Sequence, residues 1–383
     1  MIQILSAVTT DGEIIIPAQH PRDFLDDLRT HTTFSCIQCS EKVILKNGMI
    51  KTPHFAHIHN ISCTQAFSEG ESEDHLKGKL HLFEFLQKHF LPVQLEAYLP
   101  FLQQRPDLYI QSELYPLAIE FQCSQIPINA MEQRTAGYRT KKITPLWILR
   151  TPKNSDFPDQ EIGTMKLSSF RQRFFYTTPN GKMILTYCPQ SKYFHYISNP
   201  MHVKATNFIV KVKKLSIEEQ SWPFAIVKKI YWKEFQKYLT IYKRLRFKHI
   251  DNLYIFNRKG IQSPFLQICY RWRMQPKEVP LFIGIPSKRA SIFTCHAIEW
   301  QIQFIDFLHK QGLSIQKADY QHCKTFLLYR NLSSNTTSEH IKAVENYLHI
   351  LQRCLILSEE VIYDSKINYS LMNQLLYSEF LAN

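Results

Sequence analysis

Two acidic residues set the first chemical question in this chain: Asp107, in Arg105-Pro-Asp107, and Glu120, in Ala118-Ile-Glu-Phe-Gln122. Both fall in short runs of strand character. A strand has a side-chain period of two, so Glu120 and Gln122 share one face while Ile119 and Phe121 take the other. A neighbouring strand carrying Asp107 brings the two carboxylates together. Paired hard oxygen donors with no lysine immediately between them suit Mg²⁺ or Mn²⁺.

A second set of donors lies earlier, in Cys36-Ile-Gln-Cys39, His54-Phe-Ala-His57 and Cys63. Thiolate and imidazole are the ligands of a tetrahedral structural zinc site. The expected ligands are Cys36, Cys39, His57 and Cys63, with His54 as the substitute for His57. No βαβ pattern surrounds the Cys-x-x-Cys, which argues against a redox motif. Zinc here would hold together a module too small to bury a sufficient core by itself.

The elements around these residues follow from periodicity. Residues 1–30 alternate about Asp11-Gly12 as a hairpin, followed by a helical turn over Pro21–Leu28. From Glu71, the residues Leu76, Leu80, Phe83, Leu86 and Phe90 recur at helical spacing. Glu71, His75 and Lys79 then share one face at the edge of that stripe, while Glu73 and Lys77 form a flanking ion pair. Pro92 ends the helix, and three strands are expected over Val93–Leu99, Pro106–Gln111 and Leu117–Cys123. Pro127 starts a helix carrying Met131, Arg134 and Tyr138, and Thr144–Leu149 reads as a buried strand. Helix, three strands, helix and strand make an α/β architecture.

Beyond a linker at Thr151–Pro158, residues 163–215 carry strand-like pieces. Residues 227–248 read as a helix with Lys228, Lys229, Lys233, Lys237, Lys243, Arg244, Arg246 and Lys248 among Tyr231, Trp232, Tyr238 and Tyr242. Its charges suit phosphates, while its rings are those of an amphipathic core face rather than a stacking platform. Lys and Arg number 46 against 33 Asp and Glu, and the net charge of +13 favours a polyanionic partner. Nine cysteines scattered along 383 residues argue for a reducing compartment rather than a disulfide framework. Asp11 and Glu13 interrupt the N-terminal apolar run, so it does not read as a signal peptide, and no run reaches the ~20 apolar residues of a membrane span. A cytoplasmic location is expected.

An aspartate on the second strand and Glu-x-Gln on the third of an αβββαβ core resemble the PD-(D/E)xK nuclease superfamily. Arg134 and Tyr138 add an Arg-x-x-x-Tyr pattern similar to the Gln-x-x-x-Tyr of some DNA-processing members. Joined to the Cys-x-x-Cys, His54-Phe-Ala-His57, Glu71–Lys79, Ala118–Ile126 and Trp147-Ile-Leu149 segments, they make the chain resemble the competence protein CoiA family over residues 30–150. Val279–Pro286 and Glu299-Trp-Gln301 are similar to that family's C-terminal part.

The resemblance implies a restriction-endonuclease-like αβββαβ core in residues 67–152, after a zinc-ribbon-like module in 1–66 and before a mostly α-helical region in 153–383. It implies a divalent-metal-dependent DNA nuclease acting in the cytoplasm on DNA taken up in natural transformation. Single-stranded or branched DNA is the expected substrate, and recombination proteins are possible partners. Asp107 and Glu120 would hold Mg²⁺ or Mn²⁺, with Glu71 or Glu73 as a fourth carboxylate and Gln122 where a lysine is usual. Lys79 would supply the missing charge, and His75 would shuttle a proton or donate to Glu120. Arg134 and Tyr138 complete the candidates, divided between a site role and a packing role. The alternative is a nuclease-like accessory protein that binds DNA without cutting it.

Overall fold

A computed structural model of the protein describes residues 3–58, 72–152, 157–256, 262–330, 337–355 and 367–382. By internal contacts it divides into two units. The first is Met1–Pro152 with Ile184–Tyr196 and Lys213–Ala225; the second is Lys153–Met183, Ile197–Val212 and Ile226–Asn383. Two expected site residues, Cys63 and Glu71, lie outside the described residues.

The first unit begins with short strands β1 (Gln3–Ile4), β2 (Ala7–Thr9) and β3 (Ile14–Ile15), then α1 (Arg22–His31), β4 (Phe34–Ser35), β5 (Lys42–Lys46) and β6 (His54–His57). They form an antiparallel sheet in the order β1-β6-β5-β4-β2-β3. Gly12, at φ +84°, makes the expected β2–β3 turn, which a side chain would strain. Along β5 only Val43 and Leu45 are buried. They join Ile4, Leu25, Phe34 and Phe55 in a small core, as period-two burial requires.

Next come α2 (Glu73–Lys88), β7 (Val93–Leu95), β8 (Leu108–Ile110), β9 (Leu117–Gln122), α3 (Ile128–Thr140) and β10 (Thr144–Arg150). Ser72 caps α2 by accepting from the His75 N–H at 3.2 Å, and Leu76, Leu80, Phe83 and Leu86 are buried along it. Phe90 departs from the expected stripe: it follows the helix end at φ +57° and is exposed. The strands β7, β8 and β9 are antiparallel, and β10 runs parallel to β9. Strand β7 is shorter than its apolar pattern because Glu96 adopts φ +53°, a left-handed conformation that ends extended backbone.

The chain continues with β11 (Ile162–Lys166), α4 (Ser169–Gln172), β12 (Tyr176–Thr178), β13 (Gly181–Cys188), β14 (Tyr193–Lys204) and β15 (Asn207–Ser216). Leu185–Tyr187 of β13 pair in parallel with Ile148–Arg150 of β10, so the sheet of the first unit extends past the expected linker. Five strands thus occupy residues 162–216, inside the stretch read as mostly helical.

Helices follow from Trp232 onward: α5 (Trp232–Ile255), α6 (Pro264–Arg271), α7 (Ala297–Lys310), α8 (Tyr320–Tyr329), α9 (Ser338–Cys354) and α10 (Tyr369–Leu381). Their core holds Phe235, Tyr238, Tyr242, Trp300, Phe304 and Tyr347, so Tyr238 and Tyr242 are packing as expected, whereas Tyr231 and Trp232 are exposed. Arg246 departs from the expected basic face. It is buried and donates to the Val279, Pro280 and Ile283 carbonyls, each at 2.9 Å. Gln301, fully buried, binds the other side of that loop, accepting from the Gly284 and Ile285 N–H groups at 2.6 and 2.9 Å. The Val279–Pro286 and Glu299–Gln301 motifs therefore meet as one hydrogen-bonded support. No helix among the described residues is long and apolar enough to cross a membrane.

Candidate functional site

Asp107 stands one residue before β8, where Leu108 pairs with Ile119; one step along this antiparallel register sets Asp107 opposite Glu120. The strand period turns Phe121 toward α2, where the approach is so close that a Cβ on Gly78 would fall 2.0 Å from its ring. Asp107 Oδ2 accepts from the Phe121 N–H at 2.7 Å and lies 3.3 Å from His75 Nε2. Burial alone would raise this carboxyl; the charge and hydrogen bond of His75, then Lys79 and the Phe121 N–H, hold it well below the usual carboxylate range. His75 thus meets Asp107 rather than Glu120, its acceptor in one of the two expected roles, the other being a proton shuttle.

Glu120 is 5% exposed and engaged from α3. Its Oε1 accepts from Arg134 Nε at 3.0 Å, from Arg134 Nη2 and from the Tyr138 hydroxyl. Arg134 also donates to the Arg105 carbonyl at 3.0 Å, tying α3 to the segment before Asp107. Burial raises the Glu120 carboxyl and the negative charge of Asp107 raises it further, against the pull of Arg134 and Tyr138. The Asp107 charge is thus one of the influences on Glu120. All three described donors to Glu120 fall on Oε1, and the described hydrogen bonds to Asp107 fall on Oδ2. One oxygen of each remains without a described hydrogen bond.

The basic complement differs from expectation in its partners. Lys79 is fully buried and donates to Glu96, and its Nζ is 3.9 Å from Asp107 Oδ1. Glu96, 2% exposed, also accepts from the N–H of Leu5, between β1 and β2, at 2.9 Å. Burial opposes its ionisation, but Lys79 and then Arg105 outweigh this and lower it. Sequence reasoning passed over Glu96, because one glutamate in Leu95-Glu-Ala looks like any surface acid. Gln122 donates its amide to the Ser124 carbonyl at 2.9 Å. Glu73 binds Thr52 Oγ1 at 2.8 Å and Lys77 at 3.3 Å, turned to its own neighbours.

In the N-terminal sheet, Cys36, Cys39 and His57 bring their ligand atoms within 4.8 Å of one another, the one such group of three among the described residues. The Cys36–Ser40 turn between β4 and β5 closes with Ser40 N–H on the Cys36 carbonyl at 2.9 Å. It faces the end of β6, where Cys39 Sγ is 3.4 Å from His57 Nε2. Separations of this order match ligand edges around a tetrahedral ion with bonds of about 2.0–2.3 Å, so the cluster can hold a metal. His54, on the opposite strand face, directs Nδ1 to the Thr52 carbonyl at 2.8 Å and is outside the group. Burial pushes the Cys36 thiol up, an effect a bound cation would reverse.

Mixed sheets with helices, a cysteine–histidine cluster in the N-terminal sheet and a paired-carboxylate domain behind it define a two-part α/β protein with a nuclease-like domain. Family models match both parts: "Competence protein CoiA, N-terminal domain" over residues 17–66 and "Competence protein CoiA, nuclease-like domain" over residues 71–229. The chain belongs to the competence protein CoiA family. It is 27% identical over 343 residues to competence protein CoiA of Bacillus subtilis (strain 168), covering 83% of this chain and 85% of that relative. No solved structure matches the chain.

Proposed function

We propose that this protein serves natural competence as a divalent-metal-dependent nuclease on incoming DNA, single-stranded or branched, in the cytoplasm. The observation that carries this reading is the shared register position of Asp107 and Glu120, each with one oxygen outside the described hydrogen bonds. Mg²⁺ keeps several waters and typically takes only one or two protein carboxylates plus substrate phosphates, so a two-carboxylate site fits its chemistry. When bound, such an ion supplies polarisation of a phosphoryl oxygen and an activated water. His75 and the Phe121 N–H keep Asp107 ionised and aimed, and Arg134 with Tyr138 fixes Glu120. Zinc on Cys36, Cys39 and His57 is the structural metal of this reading.

The test is a cleavage assay on single-stranded and branched DNA with Mn²⁺ titrated in, comparing wild type with Asp107→Ala. Cleavage that needs the metal and drops at least about a hundredfold in the variant, at unchanged melting temperature, supports the enzyme. Equal rates in both proteins sink it.

A second reading is favoured by Gln122 and Lys79 together. The first turns its amide to Ser124, and the second spends its charge on Glu96, so neither offers a free cation where the superfamily places lysine. On this reading the domain binds DNA for recombination proteins without cutting it. DNA binding without cleavage at any Mn²⁺ concentration would select it.

A further inference from the structure

A cavity of about 310 Å³ lies in the second unit, among residues of β13, β14, the Pro286–Ser291 loop and α10. Two polar atoms of its lining residues have no hydrogen-bond partner among the described residues: Asn199 Nδ2 and Ser287 Oγ. Both residues are buried, at 6% and 7% exposure. Both atoms are themselves enclosed, and proteins pair nearly all buried polar groups, so this unmet capacity is what a ligand in the cavity would engage by turning the two side chains toward it. Asn199 is held at φ +51° and Arg289 at φ +62°, left-handed conformations that non-glycine residues adopt chiefly at functional sites and turns.

The charges at the cavity are mainly positive. Lys182, Lys288 and Arg289 line it. Lys288 Nζ donates to the Ala382 carbonyl at 3.3 Å and Arg289 pairs with Glu339 at 3.0 Å, while Lys182 is exposed with no described partner. The acid in the lining, Glu379, accepts from the Lys288 N–H at 3.3 Å and from Asn346 at 2.7 Å. An amide donor, a hydroxyl and three cations around one concavity suit a multi-oxygen anion. The volume is at the lower end of small-ligand sites and admits one nucleotide.

We propose that this cavity binds the phosphate of a nucleotide, present either as a free mononucleotide or as the phosphorylated end of a DNA strand. The site is separate from the Asp107–Glu120 pair and does not require that pair to cleave.

Calorimetric titration of the full chain, without added Mg²⁺ or Mn²⁺, tests it with four probes: inorganic phosphate, dAMP, and a short oligothymidylate bearing either a 5′-phosphate or a 5′-hydroxyl. Saturable binding of a phosphate probe is expected, weakened about tenfold or more in Lys182→Ala/Arg289→Gly and also weakened in Ser287→Ala. Both variants change a side chain at the cavity rim or a small hydroxyl, and unchanged melting curves exclude misfolding. Preference for the 5′-phosphorylated over the 5′-hydroxyl strand assigns a strand end; binding confined to dAMP or phosphate assigns a free ligand. No saturable binding of any phosphate probe, or binding that both variants leave unaltered, overturns the proposal.

Discussion

Asp107, one residue before β8, stands at the register position opposite Glu120 of β9, yet each carboxylate answers to a different helix. Asp107 is held by His75 of α2, and Glu120 by Arg134 and Tyr138 of α3. The two helices thereby clamp the same register position from two sides, and the environments drive the carboxyl groups apart, one down and one up. Separated affinities on paired carboxylates are a recurring mark of functional sites.

The Asp107 shift has a stability consequence. A carboxyl lowered in the folded state contributes stability that is complete above its unfolded value near 3.9 and is lost as pH falls through the lower folded value. Glu120, raised on folding, has the opposite sign. Acid unfolding followed by circular dichroism is therefore expected to set in at higher pH for Glu120→Gln than for Asp107→Asn, each compared with its own stability at about pH 7. The reverse order would contradict the two assignments.

Glu96 and Lys79 form a buried pair that links the N-terminal sheet to the carboxylate site. Glu96→Gln takes the nearest counter-charge from the buried Lys79 ammonium, with Asp107 Oδ1 next at 3.9 Å, and is expected to cost up to about 3–5 kcal/mol, whereas Glu96→Gln with Lys79→Met recovers most of it. Urea unfolding of both variants measures the difference. Equal losses would mean that the pair is not coupled.

Gly78 lets α2 approach β9 at Phe121. Gly78→Ala is expected to destabilise by about 1–3 kcal/mol through overpacking, despite alanine's better helix propensity, and Phe121→Leu should relieve part of this. A thermal melt in which Gly78→Ala is the more stable protein would show that the ring moves aside freely.

For the cysteine–histidine cluster, purified protein is expected to carry zinc, measured by elemental analysis, and Cys36→Ser to lose it. Zinc binding is coupled to folding in modules this small. Proteolysis should then cut the N-terminal sheet of the variant while the helices from Trp232 resist. Full metal content in Cys36→Ser would remove Cys36 from the ligand set.

Lys233, Lys237 and Arg244 are exposed on α5. If they contact phosphates, reversing all three to glutamate lowers single-stranded DNA affinity and flattens the log–log salt dependence by about 2. An unchanged slope would assign DNA contact elsewhere.

Much of the fold was legible because periodicity reports burial directly. The α2 stripe through Leu86, the antiparallel run β7–β9 and the core rings Tyr238 and Tyr242 all follow from alternation or helical spacing. Phe90, Arg246 and the sheet extension by β13 escaped it. A stripe does not show where the backbone turns left-handed, and a lysine-and-arginine run does not show which guanidinium caps a buried loop. Gln190, Arg150 and Asp74, which meet at the start of α2, carry no sequence signal of their neighbourhood.

The sequence alone determined the donor inventory: two carboxylates in or beside neighbouring strand-like runs, a Cys-x-x-Cys with histidines beyond it, and an excess of positive charge. Local spacing suffices there, since strand alternation and short-range ligand spacing are properties of a few consecutive residues. Only the tertiary structure decided the pairings: His57 rather than His54 beside Cys39, His75 on Asp107, Arg134 on Glu120, Lys79 on Glu96. Each joins elements distant along the chain, and packing, not local propensity, sets which side chains meet and which charges must neutralise one another once water is excluded.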